Sequence, residues 1–137
     1  YGNANREGGY NQWNLTGVGV LGLQTLAKGK SADIKKGIKF SHDFFLAEPP
    51  RWDKANLYSW YYYAQIFFQN GGAEMKYWND TALPLILAGQ DKNGSWKKGG
   101  PGGKDIYPTA LCTLMLEVYY RYLKVGDREQ GSLFDRK

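Results

Sequence analysis

Apolar residues along this chain gather into five helix-length runs of two alternating kinds. Two runs are amphipathic. In ADIKKGIKFSHDFFL, Ile34, Ile38, Phe45 and Leu46 fall roughly on one face and the lysines on the other, the pattern of a surface helix. AEMKYWNDTALPLILAGQ behaves similarly, with Pro84 expected to kink the helix or to mark a start near Asp80. Of the other three, LYSWYYYAQIFF and IYPTALCTLMLEVYYRYL are apolar nearly all round, as helices buried on most sides are, and GVGVLGLQTLA is an apolar run of helix length. No stretch alternates with the period of two that a strand requires. The pattern predicts helices over residues 15–27, 33–46, 57–69, 74–89 and 106–123.

These three runs share a lead-in. Each follows an aromatic (Tyr10, Trp52, Trp96) and then an Asx residue (Asn14, Asn56, Asp105), and the aromatics stand 42 and 44 residues apart. Asn and Asp cap helix starts by accepting from first-turn N–H groups, an effect of about 1 kcal/mol. The spacing therefore reads as a repeat of an inner and an outer helix, stacked as α-hairpins. The expected fold is all-α: one segment over residues 1–137, about two and a half hairpins, with no linker inside it.

Composition narrows the function classes. The net charge of +5 is spread along the chain with no lysine run longer than two, which argues against a nucleic-acid interface. No run approaches 18 consecutive apolar residues, so no membrane span is expected. One cysteine, Cys112, cannot form an internal disulfide.

The stretch from Thr81 to Trp96 resembles a known repeat, that of squalene–hopene cyclases, oxidosqualene cyclases and protein prenyltransferase β-subunits. Ala82, Ile86, Gln90, Gly94 and Trp96 match its small, aliphatic, Gln and Gly-x-Trp places, while Thr81 and Leu85 depart at the basic and aromatic ones. An earlier, degenerate copy has Lys36, Gly37 and Phe40, with Phe45 in the Gln place and Trp52 at its end. LYSWYYYAQIFFQNGG and YPTALCTLMLEVYYRYL also look like uncharacterised bacterial proteins with prenyltransferase and squalene-oxidase repeats. The resemblance implies an arc of an α/α toroid, in which the Gln stacks on the Trp and ties one hairpin to the next. Gln90, Gly94 and Trp96 are accordingly read as a structural staple.

The same resemblance tests for chemistry. Cyclases of this family protonate substrate from an Asp in D-x-D-D-T-A, whose Thr-Ala matches Thr109 and Ala110. Asp105 fills the first acidic place, and Tyr107 stands where the proton donor belongs. A tyrosine, ordinarily near pKa 10, is a poor acid for an alkene. The prenyltransferases bind zinc through Asp, Cys and His, but Cys112 and His42 lie about 70 residues apart, and no His/Cys cluster has metal-ligand spacing. Cys112 reads as core and His42 as a solvated surface residue. Glu117 and Arg121, four apart, read as a salt bridge. KKGGPGGKD fails the phosphate-loop pattern, yet Lys97, Lys98 and Lys104 precede a helix start, a weak candidate for an anion.

No catalytic residue, metal site or cofactor is assigned. Trp60, Tyr63 and Phe67 share one helix face at i, i+3, i+7 spacing. With Tyr107 they are the candidate cavity face for an apolar or polyprenyl ligand, core packing being the alternative reading. The leading expectation is a non-catalytic module binding an apolar ligand or a protein partner, such as the rest of a parent toroid. The alternatives are a piece of an isoprenoid cyclase or prenyltransferase with its catalytic residues elsewhere, and an (α/α) carbohydrate-active domain.

Overall fold

The computed structural model describes residues 13–26, 31–97 and 106–129. Five α-helices account for most of them: α1 (Trp13–Leu26), α2 (Ala32–Ala47), α3 (Leu57–Asn70), α4 (Gly72–Ala88) and α5 (Ile106–Glu129). A short 3-10 turn, Trp52–Lys54, precedes α3. No strand occurs among the described residues, where the one β-type contact is an isolated bridge between Gln90 and Trp96. The fold is all-α.

The helices form two layers. In the inner layer α3 lies between α1 and α5, while in the outer layer α2 packs on α1 and α3 and α4 packs on α3. Side chains show that α1 and α3 run parallel. At their N-terminal ends Ser59 Oγ donates to Asn14 Oδ1 at 2.7 Å, and towards the other ends Gln24 Nε2 donates to the Ile66 carbonyl at 3.1 Å.

Local chemistry sets the helix ends. Ser31 caps α2 by accepting from the Asp33 N–H, and Asn56 caps α3 by accepting from the Ser59 N–H at 3.2 Å. Asn14 does not act as the expected cap. The helix already begins at Trp13, so Asn14 sits in the first turn and its carbonyl oxygen turns to Ser59 instead. Asp105 and Tyr10 lie outside the described residues. The α3–α4 connection is a single residue, Gly71, whose φ of +70° suits a residue without a Cβ. Pro84 neither starts nor ends α4, which runs through it with the proline ring exposed.

The inner–outer seam is aromatic. Phe45 of α2 meets Tyr63 edge-on at 5.0 Å and Trp78 of α4 at 5.8 Å, and Trp60 meets Trp78 at 5.7 Å. Phe67 stacks on Tyr63 at 5.9 Å. Such pairs add about 0.5–1.5 kcal/mol each beyond the area they bury. The Tyr77 hydroxyl donates to the Phe45 carbonyl at 2.6 Å and joins the two outer helices. His42 is half-buried, edge-on to Tyr77 at 5.2 Å, and so not the solvated residue its flanking polar neighbours suggested. Leu46, expected on the buried face of α2, is exposed, and that face is Ile34, Ile38, Ser41 and Phe45.

The approach of α1 to α2 depends on Gly37. A Cβ there would stand 2.3 Å from Val20 Cγ2, far inside van der Waals contact. Val20 is β-branched and holds one rotamer in a helix, so it cannot swing aside. Gly37→Ala should therefore destabilise the chain by about 1–2 kcal/mol, although alanine is the better helix former by about 1 kcal/mol. Urea midpoints of Gly37→Ala and Gly37→Ala/Val20→Ala check this, because truncating Val20 should relieve part of the cost.

Candidate functional site

Helix α3 is apolar all round because it has neighbours on three sides. Ser59 and Ile66 face α1, Phe68 meets Tyr119 of α5 at 5.4 Å, and Trp60, Tyr63 and Phe67 face the outer layer. Tyr58, Tyr61 and Tyr62 lie on the side away from the outer layer, with Tyr62 packed against Gly17 of α1. Tyr58 is 40% exposed and Tyr61 and Tyr62 are half-buried. Their rings cluster, with centroids 5.0 Å apart for Tyr58–Tyr62 and 5.1 Å for Tyr61–Tyr62. Tyr107, half-buried on the first turn of α5, lies within electrostatic reach of Tyr58.

The Tyr62 and Tyr107 hydroxyls are held in the neutral form. The hydrogen bond with Tyr58, followed by burial, pushes Tyr62 up to about 12. Burial, and then the neighbouring Tyr58, also raises Tyr107. That shift makes Tyr107 a still weaker acid than free tyrosine.

The sequence stripe of Trp60, Tyr63 and Phe67 is brought together, but as core. The three are 3%, 0% and 0% exposed, respectively, and offer no ligand a shared face. The physical reason is that their side of α3 is the one covered by Phe45 and Trp78. Of the three, only Trp60 borders the open cavity, of about 290 Å³, at the α2–α3 turn, beside Phe44, Pro50 and Lys54. Tyr107 alone of the four candidates keeps partial exposure. The sequence reading missed Tyr58, Tyr61 and Tyr62, for which the available signal was the i, i+4 pair Tyr58–Tyr62. Periodicity cannot select one face of a helix that is apolar on every side.

Burial also makes Tyr63 a pH probe. Loss of hydration pushes its hydroxyl up to about 12, partly offset by a hydrogen bond with Ser41. A pKa above the unfolded value of about 10 means the contribution is complete below pH 10 and is lost as pH rises towards 12. Stability should fall by about 2–3 kcal/mol across that window on this account, as ionisation of Tyr63 pulls the unfolded state. Denaturant midpoints at both ends of the window should fall less for Tyr63→Phe than for the parent chain.

Gln90, Gly94 and Trp96 close the connection between α4 and α5. Trp96 is 2% exposed, and its indole N–H donates to the Ile86 carbonyl at 2.6 Å. That carbonyl is among the last four of α4, which have no partner inside the helix. Trp96 N–H donates to Thr109 Oγ1 at 3.0 Å, so one residue ties the end of α4 to the start of α5. Gly94, at φ +85°, makes the turn, and Gln90 Nε2 closes it by donating to the Gly94 carbonyl at 3.0 Å. Trp52 packs over Gly89 at the end of α4, where a Cβ would stand 2.7 Å from its ring.

The anion candidate is weak. Lys97 is exposed and lies 3.3 Å from the Asp91 carboxylate, while Lys98 and Lys104 lie outside the described residues, as does the Arg121 side chain. Cys112 is fully buried. Among the described residues no three His, Cys, Asp or Glu side chains are grouped to hold a metal, and no helix is long and apolar enough to cross a membrane. No family model, curated protein or solved structure matches this chain.

Proposed function

We propose that this chain is an arc of an α/α toroid-like repeat protein, a non-catalytic module whose tyrosine-bearing inner face binds an apolar ligand. The observation that carries the reading is the cluster of the partly exposed rings of Tyr58, Tyr61 and Tyr62, with Tyr107 beside Tyr58. The Tyr62 hydroxyl is engaged with Tyr58, so the cluster offers ring faces more than donors. Neutral ring faces suit a polyprenyl chain, whose isoprene units lie flat on aromatic surfaces. The parallel inner helices and the Trp96 staple support the resemblance to the cyclase and prenyltransferase repeat. Tyr107, raised in pKa at the place of the cyclase acid, supports a binding role over proton transfer.

Calorimetric titration with a polyprenol of four isoprene units should show saturable binding. Replacing both Tyr58 and Tyr62 with alanine should weaken it about tenfold or more, the equivalent of 1.4 kcal/mol. Tyr63→Phe, in the core, should bind as the parent does. Absence of binding near about 100 μM would reject the ligand class. Turnover of squalene or farnesyl diphosphate by the chain alone would reject the non-catalytic role.

A further inference from the structure

The cavity at the α2–α3 turn, of about 290 Å³, is lined by none of the four clustered tyrosines and is built differently. Its inner lining is apolar and buried, with Phe45, Ala55 and Trp60 at 2%, 8% and 3% exposure, respectively. Pro49 and Pro50 border it with backbones whose φ the ring fixes. Three charged residues, Glu48, Arg51 and Lys54, stand around it, all exposed. Arg51 is already engaged, its Nε and Nη2 donating to the two carboxylate oxygens of Asp53 at 3.1 and 2.8 Å. Glu48 and Lys54 have no ion-pair partner among the described residues. Their backbones are fixed. The Glu48 N–H closes α2 on the Phe44 carbonyl at 2.9 Å, and the Lys54 N–H donates to the Arg51 carbonyl at 3.2 Å in the 3-10 turn.

We propose that this cavity binds a single free amino acid with an apolar side chain, its ammonium paired with Glu48, its carboxylate with Lys54 and its side chain laid on the Trp60 lining. Charge selects the class. With Arg51 neutralised by Asp53, one negative and one positive group remain available beside the cavity. A simple carboxylate would gain Lys54 but meet Glu48 as a like charge, and a simple amine would meet the reverse. A zwitterion satisfies both. Volume selects the size, because about 290 Å³ stands at the lower end of ligand cavities, about 300–1,000 Å³, and suits one residue and not a peptide. The buried apolar lining selects the side chain, since a polar one would lose its water there without a partner. The two prolines and the 3-10 turn hold the site in shape beforehand, so binding orders little.

Calorimetric titration with L-phenylalanine and two analogues tests the site. The parent chain should bind phenylalanine saturably, with a dissociation constant of about 1 mM or below. Phenylpropionate, without the ammonium, and phenethylamine, without the carboxylate, should each bind about tenfold or more weakly. Glu48→Gln should bind phenylalanine and phenylpropionate alike, and Lys54→Gln should bind phenylalanine and phenethylamine alike. Both side chains are exposed, so the circular-dichroism melts of the two variants should stay close to the parent's. No saturable binding of phenylalanine up to about 10 mM would overturn the proposal. So would an analogue that matches phenylalanine on the parent chain, or variants that keep the parent's discrimination.

Discussion

Replacing Trp96 with alanine should destabilise the chain by about 3–5 kcal/mol, the range for deleting a large buried aromatic. Three losses coincide at this residue. The indole is 2% exposed, so its removal leaves a cavity between the end of α4 and the start of α5. The Ile86 carbonyl loses its indole partner at a helix terminus, where no backbone N–H replaces it. Desolvating an unpaired carbonyl costs about 1–3 kcal/mol and makes up part of the total. The backbone N–H of residue 96 still reaches Thr109, so the loop itself is not cut. Gln90→Ala is the contrast, expected to cost about 1 kcal/mol, because Gln90 is exposed and makes one hydrogen bond within its own turn. Chemical denaturation of both variants measures the difference. Equal midpoints for Trp96→Ala and the parent would show that the staple contributes nothing.

Phe67→Ala should be comparably severe, again about 3–5 kcal/mol. Phe67 is fully buried and touches the rings of Phe45, Tyr63 and Trp78, so it bridges α2, α3 and α4. A ring on a cavity wall would behave differently, with stability barely changed and ligand affinity reduced. The expected result is the reverse: a large fall in the denaturation midpoint, and unaltered polyprenol affinity under conditions where the variant is folded. The paired measurement separates core from site on one helix.

The helices were legible in the sequence because each has a local cause. Ser31 and Asn56 cap α2 and α3 as such residues do, and Gly71 and Gly72 break the chain between α3 and α4. Faces were harder to read. The face of α2 was legible from Ile34, Ile38 and Phe45, with only Leu46 misplaced. On α3 every face is apolar, and the choice between Tyr58–Tyr62 and Trp60–Tyr63–Phe67 depends on which neighbours arrive. Those neighbours, Asn14, Phe45, Trp78 and Tyr119, come from elsewhere in the chain and leave no mark in the local pattern. The same holds for Asn14, a good cap by type that a tertiary hydrogen bond to Ser59 recruits. The partners of Trp96, the Ile86 carbonyl and Thr109, emerged only from the geometry.

The orientation of α3 decides which rings are open to a ligand and which hold the layers together. Hydroxyl-radical footprinting with mass spectrometry reads both sets within one short peptide spanning residues 57–70. Tyr58 and Tyr62 should oxidise readily in the folded chain, while Trp60, Tyr63 and Phe67 are protected until denaturant is added. Rapid oxidation of Tyr63 and Phe67 with Tyr58 protected would contradict that orientation, and would return the Trp60–Tyr63–Phe67 stripe to the open face.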